Sequence, residues 1–169
     1  ELNILEIGCL DGKSIETWVE YFPNAQIYTG DTFERTPAEQ VSILNHERVH
    51  WLKLDSMAEE TPAYIREQWG DVEFDFIIDD GAHWPQANEL TFKNFFPMLK
   101  KTGVYFIEDV WMLDDFPIFP PYIARKKTLF NMDVHNSLMS TINKFDVKKY
   151  DFKSQSVPDS YILRVKHND

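Results

Sequence analysis

The sequence of 169 residues holds a single cysteine, Cys9, so no internal disulfide can form and nothing points to an oxidising compartment. It lacks any run of about eighteen apolar residues and any secretory leader, so no membrane span is expected. Cations are scarce: 17 Lys and Arg stand against 28 Asp and Glu, a formal charge of −11. Surfaces that bind nucleic acid or anionic membrane recruit Lys and Arg, so neither partner is expected. There is no internal repeat, no low-complexity tract and no G-x-G-x-x-G fingerprint. A cytoplasmic, soluble domain is the default reading. The opening "ELNILEIG" starts almost at once on a strand and has no initiator Met, as a piece excised from a longer protein would.

What is present suffices for a core. Apolar residues make up 43% and aromatics 15%, which excludes disorder by composition. The length fits one domain over residues 1–169 and is too short to argue for two.

Along the chain, strand and helix patterns alternate. "NILEIG" (3–8) reads as a strand, and residues 13–22 carry Ile15, Trp18, Val19 and Phe22 at the spacing of a helical stripe. "AQIYTGD" (25–31) returns to strand. "PAEQVSILNH" (37–46) fits a helix, with Thr36 as N-cap and Pro37 at its first position. A strand at 49–55, a helix near 60–69, strand "FDFIID" (74–79), a helix over most of 86–100 and strand "GVYFIEDV" (103–110) follow. Beyond 111 the alternation blurs into a Pro- and aromatic-rich loop to 122 and a partly helical stretch to 143. Strands at 145–152 and 160–167 close the chain as an antiparallel pair. Five β-α steps require a mostly parallel sheet covered on both faces. The expected fold is therefore an α/β three-layer sandwich around a seven-stranded sheet with a C-terminal antiparallel hairpin. Ligands of such sheets bind beyond the carboxyl ends of the strands.

Those ends are acidic. The first strand runs into Glu6, Gly8 and Gly12, where glycine permits a tight turn and a carboxylate suits a cationic ligand group. The second ends at Asp31, placed to accept hydrogen bonds from ribose hydroxyls. The third ends at Asp55-Ser56, where an acceptor meets an adenine amino group. Any one of these acids alone reads as a solvated loop residue. Three in succession describe a pocket for an adenosine that carries positive charge.

The series "LEIGCLDG", "YTGD", "LKLDS", "FDFIIDD" and "GVYFIEDV" resembles class I S-adenosylmethionine-dependent methyltransferases over nearly the whole chain. More narrowly, "GDTFE" and "IIDDGAHWPQANELTFKNFFPMLKKTGVYFIEDV" resemble the metal-dependent sugar O-methyltransferases of macrolide biosynthesis and the cephalosporin hydroxylase-like group. The resemblance implies a Rossmann-like methyltransferase fold. It puts Glu6, Gly8 and Gly12 on the cofactor loop, Asp31 on the ribose, and Asp55 and Ser56 at the adenine. It implies Mg2+ held by Asp80, Glu108 and Asp109, with His83 as general base. Asp79 either faces the cofactor or caps the turn. The family's N-terminal extension has no counterpart in these residues, and 111–143, where acceptor specificity would lie, shows no match.

Judged on chemistry alone, neighbouring fourth and fifth strands bring Asp80, Glu108 and Asp109 to one rim. Unpaired carboxylates so close raise one another's pKa, and a hard divalent cation relieves them. A solvated acidic rim paired to Lys100 or Lys101 is the plainer alternative. An unperturbed imidazole can take a proton at neutral pH, which suits His83 to a base, although a packed or capping imidazole is equally ordinary beside Trp84. His46, His50, His135 and His167 have no ligand spacing and read as surface or structural; Cys9 reads as a small packed residue. Trp84 and Trp111 read either as core or as walls of an acceptor pocket. The expected activity is Mg-dependent methyl transfer from S-adenosylmethionine to a hydroxyl of a small molecule, a sugar or glycoside first. Homo-oligomerisation stays open, as do a cofactor-binding module without turnover and a protein methyltransferase.

Overall fold

The computed structural model describes residues 2–115, 125–152 and 161–168. Its strands are β1 (Asn3–Ile7), β2 (Gln26–Asp31), β3 (Val49–Lys53), β4 (Phe74–Asp79), β5 (Leu99–Val110), β6 (Asp146–Asp151) and β7 (Tyr161–Lys166). They form one seven-stranded sheet in the order β3-β2-β1-β4-β5-β7-β6. The first five strands pair in parallel, and β7 runs antiparallel to both β5 and β6. The expected sheet and closing hairpin are what the chain forms.

The helices that lie wholly within the described residues are α1 (Lys13–Tyr21), α2 (Thr61–Trp69), α3 (Pro85–Phe95) and α4 (Met132–Ile142). Strand alternation sorts the core into two layers. Leu5, Ile7, Ile77, Tyr105, Ile107, Leu163 and Val165 face one way, into a cluster with Phe92 and Phe95 of α3 and Leu138 of α4. Ile4, Ile27 and Ile78 face the other way, against Ile15 and Trp18 of α1. Apolar burial on both faces is the reason these strands read as near-continuous hydrophobic runs. At the end of α1, the guanidinium of Arg48 donates to the carbonyls of Val19 (2.7 Å), Phe22 (3.0 Å) and Ala25 (2.8 Å). It thereby satisfies carbonyls that a helix end leaves unpaired.

Two expected boundaries need correction. Residues 37–46 are not an α-helix but two 3-10 turns, Ala38–Gln40 and Ser42–Asn45, and Pro37 rather than Thr36 occupies the N-cap position. Between the turns Val41 is extended (φ −100°, ψ 90°) and buried. A Cβ on Gly12 would lie 2.7 Å from Val41 Cγ1 and 2.6 Å from Ile43 Cγ2, so these two side chains seat on the bare glycine. That tertiary seat outweighs local helix preference. The second correction concerns α3, which stops at Phe95, before a 3-10 turn at Phe96–Met98, and β5 begins at Leu99 rather than 103. Pro97 has no N–H to continue the helix. The Pro-rich segment 117–121 and most of the connector between β6 and β7 lie outside the described residues.

Candidate active site

Among the described residues, four that are not glycine have positive φ: Leu10 (47°), Phe33 (53°), His83 (61°) and Asp109 (48°). Each stands at or just past the carboxyl end of a parallel strand, β1, β2, β4 or β5. Backbone of this kind costs on the order of 1–3 kcal/mol per residue and is held where the surroundings over-determine it. The strain therefore lies along the edge where such sheets bind ligands.

The β4 turn and β5 supply the chemistry. Ligand atoms of Asp80, His83 and Asp109 all lie within 4.8 Å of one another, with His83 Nε2 3.8 Å from Asp80 Oδ1. His83 Nδ1 is buried, so Nε2 is the nitrogen that faces the acids. Burial chiefly raises the Asp80 carboxyl above the usual carboxylate range; His83 opposes the rise and Asp109 adds to it. Glu108 is likewise raised, by burial first and then by Asp80 and Asp109. These acids stand close enough to resist ionising together, and a divalent cation relieves that repulsion. By donor type the carboxylates of Asp80 and Asp109, with Glu108 flanking, fit a magnesium ion, whereas imidazole is not a donor that magnesium favours, which leaves His83 for another role.

The grouping differs from the expected one in one member. His83, rather than Glu108, joins Asp80 and Asp109 in the tight cluster. Glu108 points along the sheet face that carries α1, where it lines a cavity of about 400 Å3 with Trp18, Phe22, Phe76, Phe106 and Phe152. Alternation along β5 sends residue 108 to that face, while the left-handed turn at Asp109 breaks the alternation for the next side chain. The plainer alternative of a rim paired to lysine fails for Lys100, which pairs with Asp75 at 2.8 Å. Lys101 lies at the amino end of β5, about 23 Å of extended strand from Glu108.

The β1 turn is fixed against the β4 turn. A Cβ on Gly8 would lie 2.3 Å from the carbonyl oxygen of Asp80, and Asp80 N donates to Ile7 O at 3.0 Å. Gly8 is thus required where the loop after β1 abuts the acidic turn, and its φ of 92° excludes ordinary side chains besides. Asp31 does not present a free carboxylate. Its Oδ2 accepts from Cys9 N (2.7 Å) and Leu10 N (3.1 Å), and its Oδ1 from Phe33 N (2.7 Å). It shapes the loop after β1 in this structure. Cys9 is packed as expected, and burial pushes its thiol up to about 12.

Asp55 is exposed and braces its own turn, with Oδ1 accepting from Met57 N at 2.9 Å. Ser56 is tied to α3 through Thr91 (2.8 Å) and Asn94 (2.8 Å). Asp79 is 1% exposed and braces the turn after β4. Its carboxylate accepts from Gly81 N and from Asn88 Nδ2, both at 3.3 Å. Burial pushes it up to about 7. The roles of Asn88 and of the buried Tyr105 beside Asp79 carry no sequence signal beyond helix and strand periodicity.

Glu6 is also buried, and both its oxygens are taken by α1, from Ser14 Oγ and Trp18 Nε1. Burial pushes it up to about 7 despite those bonds, with Asp80 and Glu108 adding to the rise. Unfolded, it ionises near 4.5. Between these values the native chain keeps a proton that the unfolded chain has lost, so this group's contribution to stability falls as pH rises. Glu6→Gln cannot ionise yet still accepts from Trp18 and donates to Ser14. Chemical denaturation should show a shallower loss of stability from pH 4.5 to 8, with the variant more stable at pH 8 by about 1–3 kcal/mol. An unchanged slope would contradict the assignment.

No family profile matches the chain. It is 29% identical over 118 residues to the mycinamicin VI 2''-O-methyltransferase of Micromonospora griseorubida, which covers 66% of this chain and 28% of that protein. It is 31% identical over 103 residues to a tetracenomycin-C 3'-O-methyltransferase of Streptomyces olivaceus, 59% of this chain and 24% of that one. The chain thus spans about a quarter of the length of these curated relatives. Among solved structures, the MycE methyltransferase of the mycinamycin pathway, in complex with Mg, SAH and mycinamycin VI, superimposes with a TM-score of 0.65 at 21% identity. That match covers 98% of this chain and 44% of that one. The fold is the Rossmann-like fold of class I methyltransferases.

Proposed function

We propose that this chain is the catalytic domain of an S-adenosylmethionine-dependent, magnesium-dependent O-methyltransferase acting on a hydroxyl of a sugar or glycoside. The observation that carries the reading is the gathering of Asp80, His83 and Asp109 within 4.8 Å at the carboxyl edge of a methyltransferase-type sheet. The relatives named above are O-methyltransferases of mycinamicin VI and of a rhamnosyl-tetracenomycin C, and the solved relative holds both Mg and the product form of the methyl donor.

When bound, S-adenosylmethionine supplies an electrophilic methyl group, and a divalent ion orients and acidifies the accepting hydroxyl. Asp80 and Asp109 would hold that ion, flanked by Glu108. His83 takes the hydroxyl proton at Nε2, the ring nitrogen that faces the acids. Asp79 and Asn88 hold the β4 turn that carries both Asp80 and His83. On the donor side, Gly8 and Gly12 shape the loop, Asp31 braces it and Glu6 ties it to α1. The edge near Asp55 and Ser56 remains the adenine side. Methyl transfer then yields a methyl ether and S-adenosylhomocysteine.

The test is transfer of labelled methyl from S-adenosylmethionine to a panel of glycosides, with Mg2+ and with EDTA. Turnover should appear with Mg2+, vanish with EDTA and return when Mg2+ is restored. Turnover indifferent to EDTA would remove the metal from the account. Donor binding with no turnover on any hydroxylated acceptor would favour a binding module.

A further inference from the structure

His135 is 1% exposed on the first turn of α4, and its Nε2 lies 3.3 Å from Asp114 Oδ1. Its sequence gives no reason to single it out, yet an imidazole does not enter a core without consequence. Burial lowers its pKa, with Asp114 and Asp115 acting against the drop and Lys149 with it. The ring is therefore neutral near pH 7 and serves Asp114 as an N–H donor. Asp115 is held in turn by Tyr161 Oη and by Lys149 Nζ (3.3 Å). Three side chains from α4, β6 and β7 thus bolt the 3-10 turn Leu113–Asp115 in place.

That turn leads back to the candidate site. Leu113 and Trp111 form a buried cluster with Phe130, and Trp84, which follows His83 directly, packs against it. Trp111 meets Phe130 edge-on at 5.7 Å. Trp111 is core, whereas Trp84 is half-buried between that cluster and the site. Asp109 is anchored through the main chain, because Ile107 and Val110 pair with Leu163 and Tyr161 of β7, whereas the turn is held by side chains, that of Tyr161 included. A shift of the 113–115 turn therefore moves the backing of Trp84 and leaves the acids where they are.

We infer that His135 is a positioning residue: through Asp114 it fixes the 111–115 segment that backs Trp84, and so sets the shape of the acceptor side of the cleft. The kinetic part of this inference rests on the methyl-transfer reading above; the structural part does not. The experiment compares His135→Phe, His135→Gln and Asp114→Ala with the parent chain by amide hydrogen exchange and by steady-state kinetics. His135→Phe should speed exchange at residues 111–115 about tenfold, and Asp114→Ala, which removes the acceptor, in the same direction, while His135→Gln, which keeps a side-chain N–H, restores protection. KM for the acceptor should rise about tenfold in His135→Phe with kcat and donor affinity within about twofold of the parent, and return with Gln. Because Asp114 is half-exposed, its variant folds even if the core substitution does not. Unchanged exchange at 111–115 overturns the clamp. Faster exchange with unchanged KM, or equal losses in kcat, KM and donor affinity, overturns the positioning role. A parent chain without turnover sinks the methyl-transfer reading instead, and the exchange arm still decides whether the clamp exists.

Discussion

Replacing His83 by alanine should lower kcat by about 10²–10⁴-fold, the range that one well-placed general base contributes. Affinity for S-adenosylmethionine, measured by calorimetry, should stay within about twofold, because His83 lies on the β4 turn and no donor-side residue bonds to it. The expected loss follows from position. His83 is held at φ 61° with Nδ1 buried, which leaves Nε2 as the nitrogen free to exchange a proton near Asp80. A packing role would predict something else, namely lost stability with turnover per folded molecule preserved. Activity normalised to folded protein therefore separates the two, and full activity in His83→Ala would remove the base from the account.

Asp80→Asn should abolish stimulation by Mg2+ and lower kcat by about 10²–10³-fold, since a Lewis-acid contribution of several kcal/mol is withdrawn. The substitution keeps the shape of the side chain, and the main-chain bond from Asp80 N to Ile7 O is untouched, so the turn should stay folded. Asp109→Asn should act alike. Glu108→Gln should cost less, because Glu108 lines the apolar cavity and only flanks the cluster of Asp80, His83 and Asp109. Titration of activity against Mg2+ concentration checks all three. Equal losses in Asp80→Asn and Glu108→Gln would mean that Glu108 is a full ligand.

Much of the frame could be read from residues alone, for a physical reason. Parallel strands bury both faces, so "NILEIG", "FDFIID" and "VYFIEDV" stand out as apolar runs, and each ends where an acid or glycine must turn the chain. Once the strands are counted, the right-handed crossover puts β4 beside β5 and their acidic ends on one edge. What escaped were outcomes of tertiary contact. The 37–46 segment has helical composition, but Val41 and Ile43 dock on Gly12 and unwind it. Nothing in the residues announces that the loop after β1 folds back to donate two N–H groups to Asp31. Glu108 and Asp109 are adjacent in sequence, and only the turn at Asp109 decides which of them joins Asp80. His135 has no spacing signal at all; its partner lies in a turn that periodicity could not place.

The most direct measurement is a crystal structure with Mn2+ in place of Mg2+ and S-adenosylhomocysteine, with the ion located by its anomalous signal. One manganese peak should lie among the carboxylates of Asp80 and Asp109, beside His83, with the donor's sulfur facing the same opening. A peak elsewhere, or none there at millimolar metal with the nucleoside bound, would contradict the account.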